Sequence, residues 1–167
     1  MIATNQAPGL DRYFAAQNFA AFDESIWKEE RARAMSEINM DSKFKAYASD
    51  IDPEVLEKAK ENAERAGVAD YIEFFEADAK NIKKLDCRGT IACNPPYAGE
   101  RLMEQREAEQ LYRDMGKAFG KLAPWQIYIL TSSENFERLY GARADKVRKL
   151  YNGMIPCRLY QYFKPKN

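Results

Sequence analysis

Four consecutive residues past the middle of the chain carry groups that could bind a ligand: Asn94, Pro95, Pro96 and Tyr97. They follow Thr90–Cys93, a short apolar run that predicts a buried strand. Proline offers no N–H to a sheet and moves the residue before it out of the helical region, so the strand must end here. An amide, a carbonyl fixed by proline and a flat ring suit a planar group that carries an NH₂. The simpler alternative is a tight strand exit with a stacked Pro-Tyr pair.

A strand earlier in the chain is predicted to end on acidic residues. Residues 44–49 alternate as a strand does and run into Asp50, Ile51, Asp52 and Pro53. Asp52 has the features of a helix N-cap, with proline at the first helical position, so the following helix accounts for it. Asp50 has no such explanation, and an acidic residue at a strand tip can accept the hydroxyls of a ribose. We therefore expect Asp50 to be the ribose ligand.

A further strand, at 71–77, also ends on an acid, because Asp78 and Ala79 follow it. Asp78 can accept a hydrogen bond from an adenine amino group, or it can simply cap a turn. Open α/β sheets bind their ligands at the carboxyl ends of the strands. The ends at Asp50, Asp78 and Asn94 therefore predict one site along one edge of a sheet.

The composition restricts the chemistry further. The 167 residues are enough for one domain with a sizeable core, and Lys plus Arg balance Asp plus Glu at 26 each. Any contact with nucleic acid must then come from a local patch. The chain has no histidine, which excludes histidine bases and nearly all zinc sites, and we expect no metal. Three cysteines without CxxC spacing indicate reduced thiols and a cytoplasmic protein, and no apolar run is long enough for a membrane span.

The remaining pattern is mostly helical before the C-terminal region. We predict helices at Tyr13–Phe22 and Glu24–Asn39, whose aromatic residues anchor a core, and another at Glu100–Lys121. A helix after Pro53 is expected to end at Gly67. Its buried face is predicted to comprise Val55, Leu56, Ala59, Ala63 and Ala66.

The C-terminal region predicts strands. Trp125–Leu130 has strong β propensity, and Val147–Phe163 carries Asn152-Gly153 between two β-prone arms, which is a strong hairpin signal. Pro156 is expected near an edge or bulge of the returning arm. A basic run precedes the hairpin and predicts either a solvated face or an RNA phosphate contact. It comprises Arg138, Arg143, Lys146, Arg148 and Lys149.

These segments resemble S-adenosylmethionine-dependent methyltransferases that act on exocyclic amines. The resemblance rests on Asp50–Pro53, Asp78-Ala79, Asn94–Tyr97 and Tyr151–Gly153, and the opening at 7–12 also fits. The most similar group is the 23S rRNA guanine-N2 methyltransferases with an N-terminal THUMP domain, also labelled N6-adenine-specific DNA methylases. The resemblance implies a Rossmann-like class I α/β sheet with a C-terminal antiparallel hairpin over residues 1–167.

The sequence departs from that family in two ways. The family pattern runs Asn-Pro-Pro-Tyr-Gly-Glu-Arg-Leu, whereas Ala98 intervenes here before Gly99 and shifts Arg101. We also expect the family's first strand and glycine-rich loop to be missing. No two of the eight glycines stand two positions apart, so the GxG turn of such a loop is not present. We expect a partial catalytic domain without its THUMP region and first βα unit. The missing strand is central in the family, so its neighbours should close up, or another chain should fill the gap by self-association.

The resemblance also implies roles for the site residues. Asn94 and the Pro95 carbonyl would accept the two amino protons of the base, with Pro96 fixing the loop and Tyr97 stacking on the ring. The implied S-adenosylmethionine site comprises Asp50, Ile51, Asp52, Asp78, Ala79 and Asn94. Guanine N2 in 23S rRNA is the expected target. The alternatives are adenine N6 in DNA or RNA, a glutamine amide in a protein, or a non-catalytic RNA-binding remnant.

Overall fold

The computed structural model describes residues 1–21, 23–86, 88–97 and 105–163. The chain divides into two compact units, Met1–Glu76 and Ala77–Asn167. The sequence predictions for Cys87 and for the segment 98–104 lie outside the described residues, as does the start of the helix predicted from Glu100.

The first unit contains a parallel pair of strands joined by a helix. Strand β1 (Ala46–Asp50) pairs in parallel with β2 (Ile72–Glu76), and helix α2 (Pro53–Arg65) connects them. Asp52 caps α2, because its carboxylate accepts the backbone N–H groups of residues 54 and 55. Gly67 has φ +64°, the left-handed conformation that commonly ends a helix. The predicted strand, cap and helix are confirmed, but the predicted helix face is only partly covered, since Ala63 alone is buried and Val55 is exposed.

The N-terminal segment is less helical than its sequence suggested. Helix α1 (Glu24–Ser36) starts at Asp23, whose side chain accepts the N–H of Ser25. The prediction of a helix at Tyr13–Phe22 is wrong, because only a 3₁₀ turn at Ala15–Asn18 forms in the described part of that range. The side chain of Gln17 accepts the N–H of Phe14 and so caps this turn, and the backbone is extended again at Phe19.

The second unit is built on a four-stranded sheet in the order β3-β4-β6-β5. Strands β3 (Thr90–Cys93) and β4 (Gln126–Thr131) run parallel, joined through helix α3 (Gln105–Phe119). After the short helix α4 (Phe136–Tyr140), the antiparallel strands β5 (Lys146–Asn152) and β6 (Ile155–Tyr162) complete the sheet. The predicted α/β class with a C-terminal hairpin is confirmed.

The hairpin turns one residue later than the sequence predicted. Asn152 still pairs with Ile155, so the two-residue loop is Gly153-Met154. Gly153 has φ +60°, and glycine at the first loop position is the signature of a type II′ turn. Pro156 pairs with β5 beyond the last residue that β4 reaches, which agrees with its predicted place near an edge.

Strands β1 and β3 belong to separate hydrogen-bonded sheets. Among the described residues, β1 pairs only with β2, and β3 pairs only with β4. The prediction that β1 and β3 close up is therefore wrong, whereas filling of the gap by another chain stays a prediction. Met1–Asp11 supplies no strand and contains a 3₁₀ turn at Ile2–Thr4. In the described ranges we find no helix with the length and apolar character needed to cross a bilayer.

Helix α3 builds the core of the second unit. Its residues at positions 108, 112, 115 and 119 are buried, a spacing of three to four that makes one apolar stripe. Phe136 packs edge-on to Tyr112 at 5.2 Å and lies 4.8 Å from Tyr160, between ring centres. Burial raises the pKa of the Tyr140 and Tyr162 hydroxyls well above the usual tyrosine value, so both stay neutral. The core therefore lies between α3, α4 and the sheet.

The contact between α3 and α4 depends on a residue without a side chain. A Cβ placed on Gly116 would lie 1.9 Å from the backbone oxygen of Tyr140, a distance that no real contact allows. Glycine inside a helix costs about 1 kcal/mol relative to alanine, so this helix accepts a cost to let the α4 backbone approach.

Replacing Gly116 by alanine should therefore destabilise the protein. We expect Gly116→Ala to lower the free energy of unfolding by about 1–3 kcal/mol through overpacking. This decrease is expected although alanine has a higher helix propensity than glycine. Gly120→Ala is the matched control, because no described atom lies within 4 Å of the added Cβ. Urea denaturation followed by circular dichroism measures both, and equal stability of the two variants would contradict this account of the helix contact.

Candidate functional site

The loop after β3 presents its residues alternately. Asn94 and Pro96 are exposed, whereas Pro95 and Tyr97 are buried. Within the described part of the chain, the Asn94 side chain has no hydrogen-bond partner. Its amide is thus available at the carboxyl end of the strand, as the sequence predicted, and it can donate to or accept from a ligand.

A buried tyrosine holds this loop. The Tyr112 hydroxyl donates to the Pro96 carbonyl oxygen at 2.9 Å and lies 3.1 Å from Thr131 Oγ1. Thr131, at the end of β4, also accepts the Ser133 N–H at 3.2 Å. Tyr112 and Thr131 are fully buried, so this chain of bonds ties the loop to α3 and to the neighbouring strand. Tyr112 lies within the helix predicted at Glu100–Lys121, and periodicity does not reveal which group its hydroxyl bonds to.

The two prolines have different carbonyl environments. The Pro96 carbonyl is occupied by the Tyr112 hydroxyl. The Pro95 carbonyl accepts no hydrogen bond from any residue that the structure describes. The acceptors left for a ligand in this loop are therefore the Asn94 amide oxygen and the Pro95 carbonyl, the pair that the sequence favoured.

Tyr97 lies inside the fold. Its exposed fraction is 5%, and its hydroxyl accepts the Cys157 thiol proton at an Oη–Sγ distance of 3.5 Å. Cys157, in β6, is 1% exposed and, like Cys93, is a reduced thiol. In this arrangement Tyr97 packs the loop against the sheet, and a stacking role would require the ring to leave its position.

Asp78 caps a turn. One carboxylate oxygen accepts the Lys80 backbone N–H at 2.9 Å, and the other lies 3.1 Å from Lys80 Nζ. The backbone N–H, followed by the Lys80 side chain, lowers the pKa of Asp78 below its usual value, so the group stays ionised at neutral pH. This confirms the capping alternative, and acceptance from an adenine amino group stays a prediction. Ala79 begins the turn and packs against the core.

Asp50 takes part in the turn after β1. Its Oδ1 accepts the Asp52 N–H at 3.0 Å, so the view that Asp50 has no local structural role is wrong. The sequence prediction covered only helix caps. An aspartate can also accept the backbone N–H of the residue two positions later, in an Asx turn, without being a cap. Oδ2 accepts no hydrogen bond from the described residues and is open to a ligand. Ile51 is 64% exposed. Asp52 Oδ1 accepts both cap N–H bonds, and Oδ2 accepts no hydrogen bond from the described residues.

Two parts of the predicted set, the turn at Asp78 and the Asn94 loop, are tied to helix α3. The turn after Asp78 packs against α3, the helix that also holds Pro96 through Tyr112. Asp50, Ile51 and Asp52 belong to the first unit, and their approach to Asn94 stays a prediction. In the ranges that the structure covers, we find no cluster of three or more His, Cys, Asp or Glu residues suited to a metal ion.

Comparison with known proteins gives this geometry a family context. Residues 1–161 match the family model described as "RMKL-like, methyltransferase domain". The chain is 42% identical over 163 residues to "Putative RNA methyltransferase YpsC" of Bacillus subtilis, covering 98% of this chain and 42% of that protein. It is 37% identical over 162 residues to "Ribosomal RNA large subunit methyltransferase K/L" of Legionella pneumophila, covering 96% of this chain and 23% of that protein.

A solved structure shares the fold. "SMU.472, a putative methyltransferase complexed with SAH" superimposes with a TM-score of 0.92 at 34% identity, covering all of this chain and 44% of that one. The α/β arrangement is therefore that of a Rossmann-like methyltransferase domain. The chain spans less than half the length of each of these proteins.

Removing the Tyr112 hydroxyl tests whether it holds the loop. Tyr112→Phe leaves the Pro96 carbonyl and Thr131 Oγ1 short of a partner, which should lower the free energy of unfolding by about 1–3 kcal/mol. Tyr128→Phe removes a partly buried hydroxyl that bonds Gln126 on its own strand and should cost less. Chemical denaturation measures both values, and an equal decrease in the two variants would show that the Pro96 bond has no special weight.

Proposed function

Because the chain belongs to the RMKL-like methyltransferase domain family, we propose that it carries the site for S-adenosylmethionine-dependent methylation of a nucleobase amino group in RNA. The observation that carries the proposal is the loop after β3. Its Asn94 amide is exposed, its Pro95 carbonyl accepts no hydrogen bond from the described residues, and Tyr112 fixes the next residue. Two acceptors in fixed positions match the two protons of an exocyclic NH₂.

The residues of the chain fit the cofactor that the family uses. Asp50 keeps one carboxylate oxygen open, and a ribose offers hydroxyl donors to such an acceptor. Asp78 is held ionised in a turn whose orientation is set by the Lys80 N–H. S-adenosylmethionine supplies a methyl group already activated on a sulfonium, so the protein needs no strong base before transfer.

The catalytic work of the chain is then positioning and charge stabilisation. Asn94 and the Pro95 carbonyl accept the two amino protons. These bonds fix the orientation of the amino group and therefore the direction of the nitrogen lone pair. Positive charge grows on that nitrogen as it is methylated, and fixed acceptor oxygens stabilise it without reorganisation. The absence of histidine from the sequence is compatible with this chemistry, because neither contribution uses a proton relay.

We propose guanine N2 of large-subunit rRNA as the target base. The resemblance of the motif segments to guanine-N2 enzymes and the name of the Legionella relative support this choice. The Asn-Pro-Pro-Tyr motif is shared with adenine-N6 enzymes. Nucleoside analysis of RNA after the reaction separates the two products, since N2-methylguanosine and N6-methyladenosine differ in mass and retention.

The Asn94 amide is the first residue to test. Asn94→Ala should abolish methyl transfer to ribosomal RNA while changing S-adenosylmethionine affinity little, because the amide acts on the base. Transfer of tritium from the labelled cofactor measures turnover, and calorimetry measures cofactor binding. The control is Asn62→Ala, an exposed asparagine on α2, which should keep full activity. Full turnover in Asn94→Ala would refute the assignment.

Asp50 is tested by cofactor binding alone. Asp50→Ala should weaken S-adenosylmethionine binding about tenfold or more, because a carboxylate hydrogen bond contributes about 1.5–3 kcal/mol. Asp70→Ala, an exposed aspartate in the same unit, serves as the control and should bind as the wild type does. Calorimetry gives both dissociation constants, and equal affinity of the two variants would exclude Asp50 as a ribose ligand.

A further inference from the structure

Five basic residues of the second unit have no partner among the residues that the structure describes. We call them the basic arm, and all five are exposed. None has an ion pair or a side-chain hydrogen bond to any described residue. Eight ion pairs form among the other described residues of the two units. The basic arm comprises Arg138, Arg143, Lys146, Arg148 and Lys149.

The acidic residues around the basic arm are committed to other bonds. Glu134 pairs with Arg158 at 3.0 Å, outside the arm. Glu137 accepts the Ala144 backbone N–H at 2.7 Å, and Asp145 accepts the Phe163 N–H, also at 2.7 Å. Glu137 and Asp145 keep their negative charge in these bonds, so the five cations of the arm exceed the two carboxylates by three. The whole sequence has a net charge of zero. Such a patch attracts a polyanion.

The register places Lys149 level with the last residue of β4 and Arg148 one residue before it, at the end of the sheet where the Asn94 loop leaves β3. Strand β4 pairs with β6 only as far as Arg158, so the hairpin continues past β4 by three residues, or about 10 Å at the rise of a β-strand. Strand β3 runs parallel to β4 and ends at this same edge, where the Asn94 loop follows it. The hairpin tip and the loop therefore rise from one edge.

The two features also share a face of the sheet. Leu150 lies directly opposite Cys157 in the ladder, and the Cys157 thiol contacts Tyr97. Side chains two apart on a strand point to the same face, so Arg148 stands beside Leu150 on the face that meets the loop. Tyr151 lies on the other face of β5 together with Lys149, is 70% exposed and offers a flat ring beside that cation.

From this placement we infer that the basic arm binds the sugar-phosphate backbone of the RNA next to the target base. The inference rests on the proposed RNA substrate and adds the surface that holds it. Cations without an acidic partner beside an exposed aromatic ring are the combination that binds nucleic acid, since phosphates pair with the cations and bases stack on the ring. The carboxylates of an acidic protein would pair with the cations but would supply no base to stack on the Tyr151 ring.

The test is equilibrium binding of a fluorescein-labelled RNA stem–loop, followed by anisotropy at several salt concentrations. The variant neutralises the three arm residues of β5: Lys146→Gln, Arg148→Gln and Lys149→Gln. Each phosphate that the variant no longer neutralises should weaken binding about fivefold at about 0.1 M salt, and the slope of log K against log salt should fall by about two. A matched control removes three exposed charges from α2: Lys58→Gln, Lys60→Gln and Arg65→Gln.

The outcomes separate this inference from the proposed function. Reduced RNA affinity in the β5 variant, with an unchanged thermal midpoint and unchanged cofactor binding, supports the inference. RNA affinity equal to that of the wild type, an equal reduction in the α2 control, or competition by polyglutamate as effective as by unlabelled RNA overturns it. A wild-type chain that binds cofactor but no RNA also overturns it. Cofactor calorimetry reports on the proposed methyltransferase site independently of all these results.

Discussion

The hydrogen bond from the Tyr112 hydroxyl to the Pro96 carbonyl is the contact on which the arrangement of the site depends. A loop that leaves a strand through two prolines has a fixed backbone direction but few bonds of its own, because proline donates none. Tyr112 fixes the position of this loop relative to the sheet, since its ring is buried in the core and its hydroxyl bonds the Pro96 carbonyl. With Tyr97 buried and the Pro96 carbonyl bonded to Tyr112, the exposed Asn94 amide remains for a ligand. The Pro95 carbonyl, on a buried residue, accepts no hydrogen bond from the described residues.

The packing behind that bond explains why Tyr112 can act in this way. Phe136 contacts Tyr112 and also packs on Tyr140 and Tyr160, so one aromatic cluster joins α3, α4 and β6. The close approach of α4 requires the bare backbone at Gly116. A change at either helix would therefore move the tyrosine and, through it, the loop. Interiors this dense transmit displacements rather than absorb them.

The sequence predicted most of the elements but few of the contacts. Strand ends at Asp50, Asp78 and Asn94 were readable because proline, acidic caps and β-prone runs act locally. The helix predicted at Tyr13–Phe22 is replaced by a 3₁₀ turn that ends at Asn18, since the backbone at Phe19 is extended. The hairpin was placed one residue early, since Asn152-Gly153 is a typical type I′ signal and only the ladder reveals a type II′ turn at Gly153-Met154. The roles of Tyr112 and Cys157, and the burial of Tyr97, arise from residues distant in sequence, which no local pattern encodes.

The exposed edge strand β5 has a consequence for solubility. A seven-residue strand at the border of a sheet offers unpaired backbone groups to any other strand, and such borders promote aggregation. Lys146 and Arg148 lie on one face of β5 and Lys149 on the other, so a second copy approaching this border would bring like charges into register. The charges that would attract a polyanion would thus also oppose pairing of this strand with a second copy of itself.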